Sequence, residues 1–171
     1  MEINIKHVQA FSTDKKYGQE LNDHISCLPA DCWVCVRDLD TAWLLPDQPL
    51  MMYEAIKDYP DAALFTCDTN RVWRRQISPE ADYIKHIRIA EERAKVKRYE
   101  YITGVVPAFF WLFRRSTWEK HPFDDKPIIS GHSFDARWTL TLPGTKVRIL
   151  HLYMWHTYRL GKSHKDYKHL T

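Results

Sequence analysis

Asp38 and Asp40 stand one residue apart in the stretch CVRDLDTAWLLP, residues 35–46. Cys35 and Val36 read as the end of a buried strand. Arg37, Asp38 and Asp40 then crowd three charges into four residues before apolar residues resume at 42–45. Charged side chains are rarely buried unless they are paired or hold a metal. Two carboxylates at i and i+2 of a strand share a face, and together they suit a hard divalent cation that also takes phosphate oxygens. The structural alternative is that they cap the next helix or pair with Arg37 or another arginine. A D-x-D triplet alone is too short to choose.

A second cluster with metal or redox spacing is CWVC, residues 32–35. Cys27 and Cys67 complete the four cysteines, but no second C-x-x-C supplies the remaining sulfurs of a structural zinc site. Strand residues three apart point to opposite faces. The cysteines therefore read as buried free thiols that behave as small hydrophobes.

The elements that must position these groups follow from hydrophobic period. INIKHVQAF (3–11) alternates as a first strand, and Tyr17, Leu21, Ile25 and Leu28 share one helical face. CWVCV (32–36) is a continuous apolar run, as in a strand covered on both sides. PDQPLMMYEAIKDYP (46–60) reads as a helix bounded by prolines. AALFTC (62–67) is a second buried strand and 68–79 a loop. Residues 80–101 read as one long helix with Tyr83, Ile87, Ala90 and Ala94 as its buried stripe. VPAFFWLFRR (106–115) is a strand, followed by a short helix capped by Ser116 or Thr117. FDARWTLTL (134–142) is a helix, and KVRILHLYMWH (146–156) supplies one or two final strands. Alternating strands and helices predict an α/β fold with a mostly parallel central sheet flanked by helices. Ligands of such sheets bind beyond the C-terminal strand ends, where Asp38 and Asp40 fall. Residues 1–171 show no repeat or boundary and read as a single domain with a polar, basic tail from about residue 157.

Composition sets the outer bounds. The chain has 171 residues, 44% apolar and 27% charged, which suffices for one real core. The formal charge of +3 does not require a nucleic-acid partner. The N-terminus lacks the apolar segment of a signal peptide, and the longest apolar run, VVPAFFWLF (105–113), is too short to span a bilayer. A soluble, cytoplasmic protein is the expectation.

Four segments in order carry a family resemblance. DCWVCVRDLDTAWLLPDQPLMMYEAI (31–56) resembles the D-x-D region of GT-A glycosyltransferases, in which an apolar strand delivers D-x-D and a T-x-x-L-x-P-D stretch leads into a helix. STDKKYGQELNDHISCLPAD (12–31) resembles that family's preceding segment, a G-x-x-x-N helix and a loop with Pro and Asp. VVPAFFWLFRRSTWEKHPFDD (105–125) resembles its strand ending in F-R-R, with a short helix and a Phe-Asp turn. LYMWHTYR (152–159) resembles its late His-bearing strand. Over about residues 8–160 the chain is similar to a small, family-2-like member.

The resemblance implies a single GT-A-like, Rossmann-like domain. It also implies hexosyl transfer from a nucleotide-sugar, foremost a UDP-sugar, with Mn²⁺ or Mg²⁺ as cofactor. Asp40 would be the direct metal ligand, Asp38 would meet the ribose or reach the metal through water, and His156 would be the third protein ligand. An imidazole ligand favours Mn²⁺; a lone histidine among aromatics also reads as structural. Ala10, Phe11 and Ser12 would hold the nucleotide base through backbone contacts, with Asn22 behind them and Arg37 among the donor-binding groups. Lys162, in the tail, would close over the diphosphate; the alternative is a solvated terminus. The chain departs from the pattern at the catalytic base. Where many inverting members carry an acidic pair, SGHSFDARW offers His132 and Ser133, and Asp135 follows two residues later. Asp135 or His132 would be the base, or the enzyme is retaining and needs none, leaving Asp135 to cap its helix or pair with Arg137.

Two other classes compete. A nucleotidyltransferase also uses paired carboxylates and a metal, but would usually bring a Gly-rich phosphate loop near the N-terminus, and STDKKYG has one glycine. A non-enzymatic nucleic-acid module would use RIAEERAKVKR and the tail, yet Glu91 and Glu92 make that helix read as a solvated face. The acceptor (glycan, lipid-linked glycan, protein or modified nucleic acid) and the oligomeric state are not legible.

Overall fold

The structure is a computed structural model that describes residues 2–9, 16–70, 82–124 and 134–157. The elements are β1 (Ile5–Val8), α1 (Tyr17–Ser26), β2 (Trp33–Arg37), β3 (Thr41–Ala42), α2 (Gln48–Asp58), β4 (Leu64–Thr69), α3 (Tyr83–Ala94), β5 (Tyr99–Ile102), β6 (Phe110–Arg114), α4 (Arg115–Lys120), α5 (Phe134–Thr141) and β7 (Lys146–His156).

The seven strands form one mixed sheet in the order β1-β2-β6-β4-β7-β3, with β5 also paired to β7, curled into a half-barrel. This overturns the expected mostly parallel, Rossmann-like sheet. β1–β2 and β4–β7 pair in parallel, whereas β2–β6, β4–β6, β3–β7 and β5–β7 pair antiparallel. The apolar runs mark strands but not their directions. β6 enters between β2 and β4 running against both. Tracing these pairings leaves β1, β2, β4 and β7 pointing one way, so the C-terminal ends of β2, β4 and β7 share one rim.

Alternation builds the layers. Trp33, Cys35, Phe110 and Leu112 face Met51, Met52, Ala55 and Ile56 of α2. Val34, Val36, Trp111 and Phe113 face Leu21 and Ile25 of α1 and Trp138 of α5. Gly18 lets α1 come close: a Cβ there would lie 2.5 Å from the Asp124 carbonyl oxygen. Cys32 and Cys35 fall in opposite layers, all four cysteines are free, and burial pushes the Cys35 thiol up to about 12. Cys32, Cys35 and Cys67 are buried, inert thiols, whereas Cys27 is exposed, against the expectation that all four are buried.

Two further expectations need correction. The long helix ends at Ala94; after it Tyr99–Ile102 pairs with β7 as β5. Asp82 starts α3 by accepting the N–H groups of Ile84 and Lys85. His86 and Ala90 are the residues it buries, while Tyr83 is exposed. The expected loop at 68–79 begins late, because β4 continues through Thr69. No helix among the described residues is long and apolar enough to cross a membrane.

Candidate metal centre

β2 delivers Asp38 to the shared rim, where its N–H donates to the Phe109 carbonyl (3.1 Å). The chain then turns instead of continuing as a strand. Thr41 closes that turn, its N–H and its hydroxyl both donating to the Asp38 carbonyl, at 3.2 and 2.7 Å. The two carboxylates therefore converge through a turn, not through the pleat expected from the sequence, and Leu39 between them is exposed.

β7 brings the third group from the far end of the chain. Thr41 pairs with His156 across β3 and β7. The imidazole Nε2 lies 3.2 Å from Asp40 Oδ1 and 3.9 Å from Asp38 Oδ2. One ligand atom from each of Asp38, Asp40 and His156 falls within 4.8 Å of the others. The Phe109 ring stacks on the imidazole at 5.9 Å between centroids. Thr157 donates from both its N–H and its hydroxyl to the Asp40 carbonyl, at 2.8 and 3.0 Å. Asn70 grips the backbone of His156 from the other side, through bonds to its N–H and its carbonyl.

Electrostatics at the cluster favour a cation. Burial pushes the Asp38 carboxyl up to about 6; His156 opposes the shift, and the charges of Asp40 and Asp135 add to it. Burial also works upward on Asp40, but its hydrogen bond and charge interaction with His156, with a backbone N–H, hold it below the usual carboxylate range. Among the described residues the ion pairs of Asp38 and Asp40 are with His156 alone. Two carboxylates and an imidazole form a donor set that fits Mn²⁺ and, less well, Mg²⁺.

The other predicted residues are placed as follows. Asp135 sits in the first turn of α5, where its Oδ1 accepts the Ala136 N–H at 2.8 Å. Burial raises its carboxyl, against backbone hydrogen bonds from Ala136 and Ala108, and its charge is felt at Asp38. Arg137 meets Asp124 at 3.2 Å. Arg37 does not pair with the aspartates; its guanidinium lies over Trp43 at 4.7 Å, on the α2 side of the sheet with Cys35. The Asn22 amide ties α1 to a distant turn: it donates to the Phe123 carbonyl and accepts the Phe123 N–H and the Trp118 indole N–H. Ala10, Phe11, Ser12, His132 and Lys162 lie outside the described residues. On α3, Glu91 and Glu92 are exposed and Lys95 pairs with Glu92 at 2.5 Å, a solvated charge pattern.

Sequence reasoning missed Asn70, Phe109 and Thr157. Thr41 was visible within T-x-x-L-x-P-D, but Asn70 sat in a stretch without period and carried no signal. No protein-family model matches the chain, and no curated protein matches it. The site must therefore be read from its own residues.

Proposed function

We propose that this protein is a divalent-cation-dependent glycosyltransferase that moves a hexosyl group from a nucleotide-sugar, foremost a UDP-sugar, to an acceptor hydroxyl. The observation that carries this is the meeting of Asp38, Asp40 and His156 at one point. That is the ligand set the sequence resemblance implies, drawn from segments more than a hundred residues apart. The mixed sheet lends the reading no weight.

A bound Mn²⁺ or Mg²⁺ supplies Lewis-acid stabilisation of charge on the departing diphosphate. The chain's own groups do the rest. Asp40 and His156 hold the cation, and Asp38 orients the ribose or a bridging water. Asp135 is a carboxylate made more basic by burial, and in an inverting reaction it takes the proton of the acceptor hydroxyl. In a retaining reaction it only starts α5. The Asp38–Asp40 turn follows β2 directly and is tied down by Thr41 and Thr157, and His156 ends β7, so the cation ligands sit on or beside strand ends and not on long loops.

The test is a hydrolysis screen of UDP-, GDP- and CMP-sugars with Mn²⁺ and no acceptor. Release of free nucleotide that stops in EDTA and in Asp40→Ala, with the variant still folded, is the expected result. Turnover that persists in EDTA or in Asp40→Ala contradicts the metal mechanism.

A further inference from the structure

His156 is the last residue of β7, a position where a strand ordinarily frays. β4 accompanies β7 only as far as Thr69 opposite Met154. Beyond that point the side chain of Asn70 takes over. Its Nδ2 donates to the His156 carbonyl at 3.0 Å, and its Oδ1 accepts the His156 N–H at 2.6 Å. The side-chain amide thus stands where the next peptide of β4 would bond. The Thr69 hydroxyl donates to the same Oδ1 at 3.1 Å, and Asn70 is 1% exposed. The opposite edge of His156 is held by Thr41 of β3.

We propose that Asn70 is a positioning residue for the cation site, fixing the His156 backbone so that the imidazole is aimed at Asp38 and Asp40 before any ion arrives. An amide offers a donor and an acceptor side by side, which is what the N–H and carbonyl of one residue demand. The Gln48 amide makes a comparable two-sided grip, accepting the Leu44 N–H and donating to the Tyr153 carbonyl, so the device has an internal control. The inference rests on the cation reading of the site.

The experiment is Mn²⁺ titration of the full chain, following free Mn²⁺ by electron paramagnetic resonance, at a temperature where circular dichroism shows every variant folded. Asn70→Ala should weaken Mn²⁺ binding about tenfold or more, on the scale of lost outer-shell support, while Gln48→Ala stays within about twofold of wild type. Both should lower Tm. Asn70→Thr keeps more of the side-chain volume without the paired donor and acceptor; it replaces Asn70→Ala if that variant does not fold, and should show the same loss. Wild-type affinity in the Asn70 variants, or an equal loss in Gln48→Ala, would overturn the inference and leave the cation reading standing. A wild-type protein that takes up no Mn²⁺ would bring down the cation reading, and this inference with it.

Discussion

Two groups of carboxylates lie against β7 and are neutralised in different ways. In the first, Asp68 meets Arg93 at 2.7 Å and Arg148 at 3.5 Å, and Arg148 meets Glu100 at 2.8 Å. Two guanidiniums serve two carboxylates, and Arg93 also lies over the Tyr153 ring. In the second, Asp38 and Asp40 share His156, which carries at most one positive charge. The first group is electrically complete as folded. Among the described residues the second keeps surplus negative charge at a rim where three strand ends meet, and burial, with the charges of Asp40 and Asp135 added, lifts Asp38 to about 6. Guanidiniums placed as they are around Asp68 would have cancelled that charge. A cluster closed by its own arginines serves the fold, whereas one left negative suits an incoming cation.

This contrast can be broken at either cluster. The largest effect belongs to the rim. Asp40→Ala and His156→Ala should each cut Mn²⁺-dependent donor turnover by roughly a thousandfold, the scale of losing a principal electrostatic stabiliser. The double variant should be little worse than either single one, because both remove the same ion. Thermal melts should show both single variants folded. Additive losses would mean that the two residues do not share a cation.

The closed cluster should behave in the opposite way. Arg148→Ala leaves Asp68 and Glu100 each short of a cationic partner, with the Arg148 side chain 14% exposed. Denaturant unfolding should show a loss of about 2 kcal/mol, below the range for fully buried pairs because water reaches part of the cluster. Mn²⁺ affinity should not change. A change in affinity with intact stability would show that the two clusters are coupled.

The smallest effect is expected at the outer end of α2, where Asp58 meets Lys97 at 2.7 Å and accepts the Tyr99 hydroxyl at 2.7 Å. The bonds from Lys97 and Tyr99 hold the Asp58 carboxyl below its usual range. A lowered acid stabilises the fold above its unfolded pKa of about 4, and that contribution fades as pH falls through the lower folded value. Asp58→Asn should therefore cost a little stability at pH 7 and nothing at pH 2, with the pH 7 difference shrinking in high salt. A difference independent of pH would assign the effect to packing.

How much of this was legible in the sequence depended on how local the signal was. The buried strands announce themselves as apolar runs, since CWVCV and AFFWLF alternate between two cores and so have no polar face. Asp38 and Asp40 at a strand end were visible for the same reason. Strand direction was not, because the antiparallel insertion of β6 between β2 and β4 is fixed by pairings across long connections. β5 was read as helix because RYEYI follows directly on the helical charge pattern of residues 80–97, and its strand character comes from pairing with β7. The two-residue β3 and the Asn70 grip are tertiary devices that leave no periodic trace. The convergence of His156 with Asp40 came from the resemblance; no local pattern of residues 146–156 contains it.

The most direct measurement is an anomalous difference map from crystals grown with Mn²⁺ and UDP. A manganese peak should lie among Asp38, Asp40 and His156, with the His156 Nε2 and an Asp40 oxygen at ordinary coordination distance, about 2.0–2.3 Å, and with the diphosphate on its open side. A manganese peak bound elsewhere, or one that His156 does not ligate, would contradict the account.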